Sequence, residues 1–215
     1  MWLIDVSRQL PEAHLHGLDY NLRQAPHQTW LPPNIYMKCL NIFEDMPDDP
    51  IGKYDCVHTR LLLLVVQEKD SRPIIQNLHR LLKPGGYLQW DELDTVNALI
   101  KKVNPDQQTL ALDQLREWSR ADSQHDWTVQ FADFCIEEGF IDAKIDFFED
   151  GNELARAFND QHLLITEEFA QSLGELGHSK LAAKYLSLVE EAYDESVAGG
   201  ALCVPRVVCV ARKPL

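Results

Sequence analysis

The sequence predicts one α/β domain over residues 1–215, built on a mostly parallel β-sheet with a helical cap. Two observations predict this fold class. Strand-like apolar runs alternate with amphipathic helical patterns along the first half of the chain, and such alternation produces right-handed βαβ units with parallel strands. The length of 215 residues also suits one core, since single domains reach roughly 250 residues.

The elements of the first half follow from apolar spacing and turn residues. A helical pattern opens the chain and stops at Pro11, and a second one stops at the Lys83–Gly86 turn. In chain order we expect a helix over 2–10, strands over 14–19, 35–40 and 54–58, an apolar run at 61–66 that continues the third strand, a helix over 71–82 and a strand over 87–90.

The second half is mainly helical. We expect helical structure over 104–138, a strand over 141–148, helices over 152–175 and 179–197, and a last strand over 206–211. The segments at about 98–138 and 151–198 are expected to cap the carboxyl end of the sheet, where open α/β folds bind ligands. His125 and His162 lie in these segments, where either could face a pocket.

Charge and cysteine usage exclude several classes of protein. The net charge is −14, which argues against a nucleic-acid surface or an anionic membrane, because both require excess Lys and Arg. The five cysteines include no C-x-x-C pair, so reduced thiols are favoured over disulfides or a metal site. The chain shows no signal peptide and no apolar run of roughly 18 residues, which favours a cytoplasmic protein.

Three segments resemble class I S-adenosylmethionine (SAM)-dependent methyltransferases, which have a Rossmann-like fold. They are WLPPNI (Trp30–Ile35), KYDCVHTRLLL (Lys53–Leu63) and LLKPGGYLQWDELD (Leu81–Asp94). The chain is most similar to the fungal group that includes secondary-metabolite methyltransferases and regulator-like relatives. A fungal setting follows from this resemblance alone.

The resemblance implies a set of cofactor contacts. Asp19, at a strand end, would accept the ribose hydroxyls of SAM, although a carboxylate there also suits a turn cap. Asn41 stands where the family places an acid that meets the adenine amino group, so the charge-assisted bond is lost. Ile42 and Thr59 are the other residues expected to contact the cofactor.

One motif of the family is not found in this sequence. Family members place a strand and a G-x-G-x-G turn before a segment like Trp2–Leu10, whereas Met1 stands here where that loop would end. The resemblance therefore implies either that the chain is a fragment of a longer protein, or that a partner strand or a second copy of the chain takes the place of the first, central strand. The cofactor is accordingly expected to be either SAM or none.

Candidate catalytic residues follow the third and fourth strands. His58 and Arg60 leave the third strand, and Asp91 and Glu92 leave the fourth. A histidine beside carboxylates can act as a general base, and His58 with Arg60 can donate to a polarised carbonyl. The alternatives are a structural strand-end histidine and an ion pair between Arg60 and one of the two acids.

Three functions remain open at this level. The absent loop and Asn41 favour a cofactor-independent cyclase or isomerase, of the pericyclase or Diels–Alderase type, acting on an apolar small molecule. The second is a SAM-dependent O- or N-methyltransferase of a small molecule. The third is a non-catalytic interaction or regulatory module.

Overall fold

The computed structural model describes residues 2–63, 65–66, 70–120 and 126–215. Its helices are α1 (Trp2–Gln9), α2 (Arg72–Leu81), α3 (Leu110–Ser119), α4 (Phe131–Glu137), α5 (Ala155–Glu175) and α6 (Ser179–Val197). Its strands are β1 (Leu15–Asp19), β2 (Ile35–Cys39), β3 (Tyr54–Arg60), β4 (Leu82–Leu93), β5 (Leu99–Lys102), β6 (Ile141–Phe148), β7 (Gly200–Cys203) and β8 (Arg206–Arg212). The predicted α/β class is confirmed. In the part of the chain described, no helix is long and apolar enough to cross a membrane.

The strands form three groups. β1 pairs with β2 in parallel, and a four-stranded sheet has the order β3-β4-β8-β6. In that sheet β3 and β4 are parallel, whereas β8 runs antiparallel to both β4 and β6. β5 and β7 form a separate antiparallel pair.

β1 and β3 contact each other without pairing. The described residues show no strand pairing between them, yet His16 Nδ1 of β1 lies 2.8 Å from the Tyr54 hydroxyl at the start of β3. α1 packs on β1 and β2, and its Trp2 ring stacks on His58 of β3 at a centroid distance of 4.0 Å. α1 therefore bridges the β1–β2 pair and the four-stranded sheet.

The main core lies on one face of β4. Trp90 is buried there, with its ring centroid 5.8 Å from that of Trp127 and 4.4 Å from that of Phe131. α2 covers the same face with Ile74, Ile75, Leu78 and Leu81. Losing an aromatic side chain of this size from a core costs roughly 3–5 kcal/mol, so this packing holds the end of β4 in place.

The third strand is shorter than predicted. β3 ends at Arg60, and the described part of the apolar run at 61–66 is turn and coil. Leu61 has a φ of 55°, a left-handed backbone that cannot continue a strand. The Leu62 N–H donates to a side chain, Glu92, rather than to a ladder partner. Leu64 lies outside the described residues.

The cap also differs from expectation. Within the segment 98–138, β5 is a strand and α4 packs on β6 and β8 of the main sheet, whereas α3 packs on α6 of the predicted cap. β5 pairs with β7 from the far end of the chain, and local periodicity carries no signal for such a pairing. His125 lies outside the described residues, while His162 is half-buried in α5, where burial lowers its pKa.

Candidate active site

A pocket of about 240 Å³ lies at the carboxyl ends of β3 and β4. We call it the strand-end pocket, and its lining residues are Arg60, Leu61, Asp91, Glu92, Phe148, Arg206 and Val208. The sheet register explains this grouping, because Arg60 pairs with Asp91 and Asp91 pairs with Val208. Three of the four predicted catalytic residues are thus brought together.

Glu92 is a buried carboxyl with one free oxygen. Its side chain is 2% exposed, and Oε1 accepts hydrogen bonds from the Leu62 N–H at 2.5 Å and from Trp90 Nε1 at 2.9 Å. Oε2 has no hydrogen-bond partner among the described residues. Burial raises the pKa of Glu92 to about 7, although the hydrogen bonds from Trp90 and Leu62 oppose the shift. Glu92 can therefore donate or accept a proton near neutral pH.

Asp91 is held as a carboxylate. Its Oδ2 lies 3.2 Å from His58 Nε2, and its Oδ1 accepts a 3.0 Å hydrogen bond from Gln89 Nε2. Burial alone would raise the pKa of Asp91, but the hydrogen bonds from His58 and Gln89 hold it below its usual range. Two carboxyl groups of one strand thus differ in protonation, a pattern typical of acid–base sites.

His58 does not line the pocket. Its side chain is 7% exposed, because the Trp2 ring covers one face and Asp91 takes Nε2. The structure therefore places His58 behind Asp91, where it orients that carboxylate rather than reaching a bound molecule.

Two arginines line the pocket from opposite sides. Arg60 is exposed, and no carboxylate lies within ion-pair distance of it in the described residues, so the alternative of a pairing with Asp91 or Glu92 is not observed. Arg206 lies over the Phe158 ring at 4.8 Å and 3.8 Å from Asp150. Guanidinium groups of this kind can stabilise a developing oxyanion.

Sequence reasoning missed Arg206 and Phe148. Both reach the pocket through β8, which is antiparallel to β4 and pairs Arg206 with Leu93 and with Phe148. The sequence signals are the strand patterns over 141–148 and 206–211, and neither carries information about which strand lies beside it.

The predicted cofactor residues lie apart from this pocket. Asp19 is exposed at the end of β1, and its Oδ1 accepts from the Asn21 N–H at 2.9 Å. The Asn41 amide closes a local turn, accepting from the Phe43 N–H at 3.1 Å and donating to Glu44 at 2.9 Å. Asp19 retains a second oxygen for a ribose hydroxyl, whereas both ends of the Asn41 amide are engaged.

Ile42 and Thr59 make contacts within the fold, away from the strand-end pocket. Ile42 packs against the main core, and its carbonyl accepts a 2.8 Å hydrogen bond from Asn77 Nδ2. Thr59 pairs in register with Trp90, so it faces away from the side of β3 that carries Arg60. Neither residue lines the strand-end pocket.

These residues fit SAM only in part. Asp19 offers one free carboxylate oxygen for a ribose hydroxyl, whereas the Asn41 amide is engaged with Phe43 and Glu44 of its own turn. In the part of the chain described, no group of three His, Cys, Asp or Glu residues could hold a metal ion.

Sequence comparisons find fungal relatives. No family model matches the chain. It is 41% identical over 78 residues to the methyltransferase grgD of a Penicillium species, covering 36% of this chain and 27% of that protein. It is 31% identical over 93 residues to the N-methyltransferase tcpN of Claviceps purpurea, covering 42% and 33%. The secondary metabolism regulator laeA of Coprinopsis cinerea is 31% identical over 93 residues, covering 43% and 22%. The chain therefore matches no more than a third of the length of these three relatives.

A solved methyltransferase structure shares the fold. The SAM-dependent methyltransferase SibL, in its apo form, superposes with a TM-score of 0.52 at 13% identity, covering 99% of this chain and 47% of that one. The [4+2]-cyclase SpnF superposes with a TM-score of only 0.45 at 16% identity, covering 98% and 70%, which carries no argument about the reaction. The resemblance to fungal secondary-metabolite methyltransferases and the Rossmann-like fold are confirmed.

Proposed function

We propose that this methyltransferase-like protein is an enzyme that transfers protons on an apolar small molecule bound in the strand-end pocket. The observation that carries the proposal is Glu92, a buried carboxyl with a pKa of about 7 and an unpartnered oxygen in a residue that lines the pocket. Structural carboxyls of this kind are normally fully hydrogen-bonded.

The lining suits a neutral, carbonyl-bearing molecule. Leu61, Phe148 and Val208 provide apolar contacts, while Arg60 and Arg206 supply cationic donors for an oxygen. Protonated Glu92 gives a proton to one atom of the substrate, and the carboxylate that results removes a proton from another atom. The two steps together move a double bond and return Glu92 to its starting form. Polarisation of the carbonyl by Arg60 also accelerates a ring closure that needs no outside reactant.

The residues present favour a reaction without SAM. The strand-end pocket brings a carboxyl with a raised pKa together with two arginines, whereas both ends of the Asn41 amide are engaged in a local turn. We therefore propose an isomerase or a cyclase of the pericyclase type as the first candidate.

Methyl transfer is the second candidate, and the relatives favour it. Curated proteins at 41% and 31% identity are a methyltransferase and an N-methyltransferase, and Asp19 keeps a free carboxylate oxygen at the end of β1. In that case the chain would hold the ribose through Asp19, and Asp91 or Glu92 would take the proton from a substrate hydroxyl or amine.

Calorimetry with SAM separates the two candidates. We expect no heat of binding when micromolar SAM is titrated into the 215-residue chain. Micromolar binding that is lost in Asp19→Ala but kept in Asp55→Ala, a matched exposed strand acid, would replace the first candidate by the second.

The acid–base role has its own test. Carboxyl-carbon NMR of the chain with labelled glutamate should show one side chain titrating near pH 7, and Glu92→Gln should remove that signal. If every glutamate titrates near its ordinary value of about 4.3, the proton-transfer proposal fails under either reaction.

A further inference from the structure

A second concave surface lies between the two long cap helices. We call it the acidic groove, and it has a volume of about 510 Å³. Its lining residues are Asp160, Leu163, Leu164 and Glu167 of α5, and Val189, Glu190, Tyr193 and Asp194 of α6. None of them belongs to the strand-end pocket, and the proposed reaction uses none of them.

The floor of the groove is apolar and open. Leu163 and Leu164 of α5 and Val189 and Tyr193 of α6 form it. Leu164 is 60% exposed and Tyr193 is 51% exposed, although helices of this spacing normally bury such residues. Val197, one turn beyond Tyr193, extends the exposed apolar stripe. Adjacent apolar side chains left in solvent mark an interaction surface.

The four charged residues that line the groove form its rim and are all acidic. One of them, Asp160, pairs at 2.7 Å with Arg156, whose guanidinium also lies over the Tyr193 ring at 5.2 Å. Across the described residues, no cation lies within ion-pair distance of the other three, Glu167, Glu190 and Asp194. An apolar floor flanked by uncompensated negative charge is complementary to a ligand that is apolar on one face and cationic at its edges.

We propose that the acidic groove binds a basic amphipathic helix of a partner protein. The lining spans residues 160–167 of α5, about 10 Å or two helical turns, so a helix of two or more turns fills it. A third helix packs its side chains into the space between two others, whereas an extended strand would find no free backbone groups on α5 and α6.

A second copy of this chain does not suit the groove. A symmetric dimer through this face would bring the acidic rims of two copies together, and the chain as a whole carries a net charge of −14. Like charges face to face oppose association, so the complementary partner is a basic one.

The probe is a synthetic 14-residue helical peptide with leucine on one face and lysine on the other. We expect the full chain to bind it in fluorescence anisotropy at physiological salt. Two matched peptides, one with glutamate in place of lysine and one with serine in place of leucine, should bind at least roughly tenfold more weakly, because each lacks one half of the complementarity.

Two pairs of substitutions locate the binding. Glu167→Lys with Glu190→Lys reverses two rim charges, and Glu168→Lys with Glu191→Lys makes the same net change at the adjacent exposed positions. We expect the rim pair to weaken binding roughly tenfold and the adjacent pair to change it less than about twofold, because only the rim faces the peptide. Leu164→Ser should weaken binding by a similar factor with unchanged circular dichroism.

Equal weakening by the two pairs would overturn the proposal, because it would show attraction to the acidic surface in general. Equal binding of the leucine and serine peptides would overturn it as well, since the apolar floor would then make no contribution. Both outcomes leave the proposed chemistry at the strand-end pocket untouched.

Discussion

Replacing Glu92 by Gln should change how the stability of the fold depends on pH. The glutamine keeps one acceptor for the Leu62 N–H and the Trp90 indole, and it places a neutral amide where the wild type has an unpartnered carboxylate oxygen. The substitution therefore removes a titrating group while conserving size and the hydrogen bonds that Oε1 accepts.

The magnitude follows from the raised pKa. The pKa of Glu92 is about 7 in the folded chain, against 4.5 for the group in solvent. As the pH rises through this window, the unfolded chain releases the proton and the folded chain keeps it, so folding becomes less favourable. Each pKa unit corresponds to about 1.4 kcal/mol, so ionised Glu92 destabilises the fold by about 3 kcal/mol above pH 7.

Urea unfolding of both proteins from pH 5 to pH 8 measures this effect. As the pH rises from 5 to 8, we expect the wild type to lose about 2 to 3 kcal/mol of unfolding free energy relative to Glu92→Gln. Most of this loss should occur below pH 7. Glu149→Gln, at an exposed position just after β6, is the matched control and should run parallel to the wild type. Parallel curves for Glu92→Gln and the wild type would refute the reasoning that Glu92 is buried and protonated.

Three further changes probe the cap and the site. Asn159→Ala leaves the buried Leu202 N–H without its 2.8 Å acceptor, so we expect a loss of about 1–3 kcal/mol in urea unfolding, and no loss would contradict the buried bond. Glu195→Ala removes a carboxylate that accepts from two backbone N–H groups in the first turn of α3, and should cost about 0.5–2 kcal/mol and lower the thermal midpoint. His58→Phe removes a hydrogen bond that holds the pKa of Asp91 below its usual range, so Asp91 should titrate at higher pH by carboxyl-carbon NMR; an unchanged midpoint would exclude the pairing.

Part of the candidate site could be predicted from the sequence. Two strands of one βαβ unit lead to the candidate residues Arg60, Asp91 and Glu92. The carboxyl ends of parallel strands meet at one edge of a sheet, so these residues are expected to lie together. The structure places all three around one pocket. The sequence places His58 at the same edge of the sheet. In the structure, the ring of Trp2 from α1 stacks on the His58 ring and separates it from the pocket.

Other parts of the site could not be predicted, because they depend on pairings between distant segments. Arg206 and Phe148 enter the pocket only because β8 lies antiparallel between β4 and β6. The same reason explains why β5 was expected to be helical, since its partner β7 lies near the end of the chain. A strand of four residues has no periodicity of its own that distinguishes it from a helical flank.

The sequence by itself determined the alternation of strands and helices and the strongly negative charge, because both depend on residue type and local spacing alone. Only the tertiary structure decided that Glu92 is protonated near neutral pH while its neighbour Asp91 stays ionised. The two carboxyls are adjacent on one strand, and successive side chains point to opposite faces of a sheet. Glu92 lies where the packed core meets the strand-end pocket and is desolvated, whereas Asp91 contacts His58 and Gln89, which stabilise its charge.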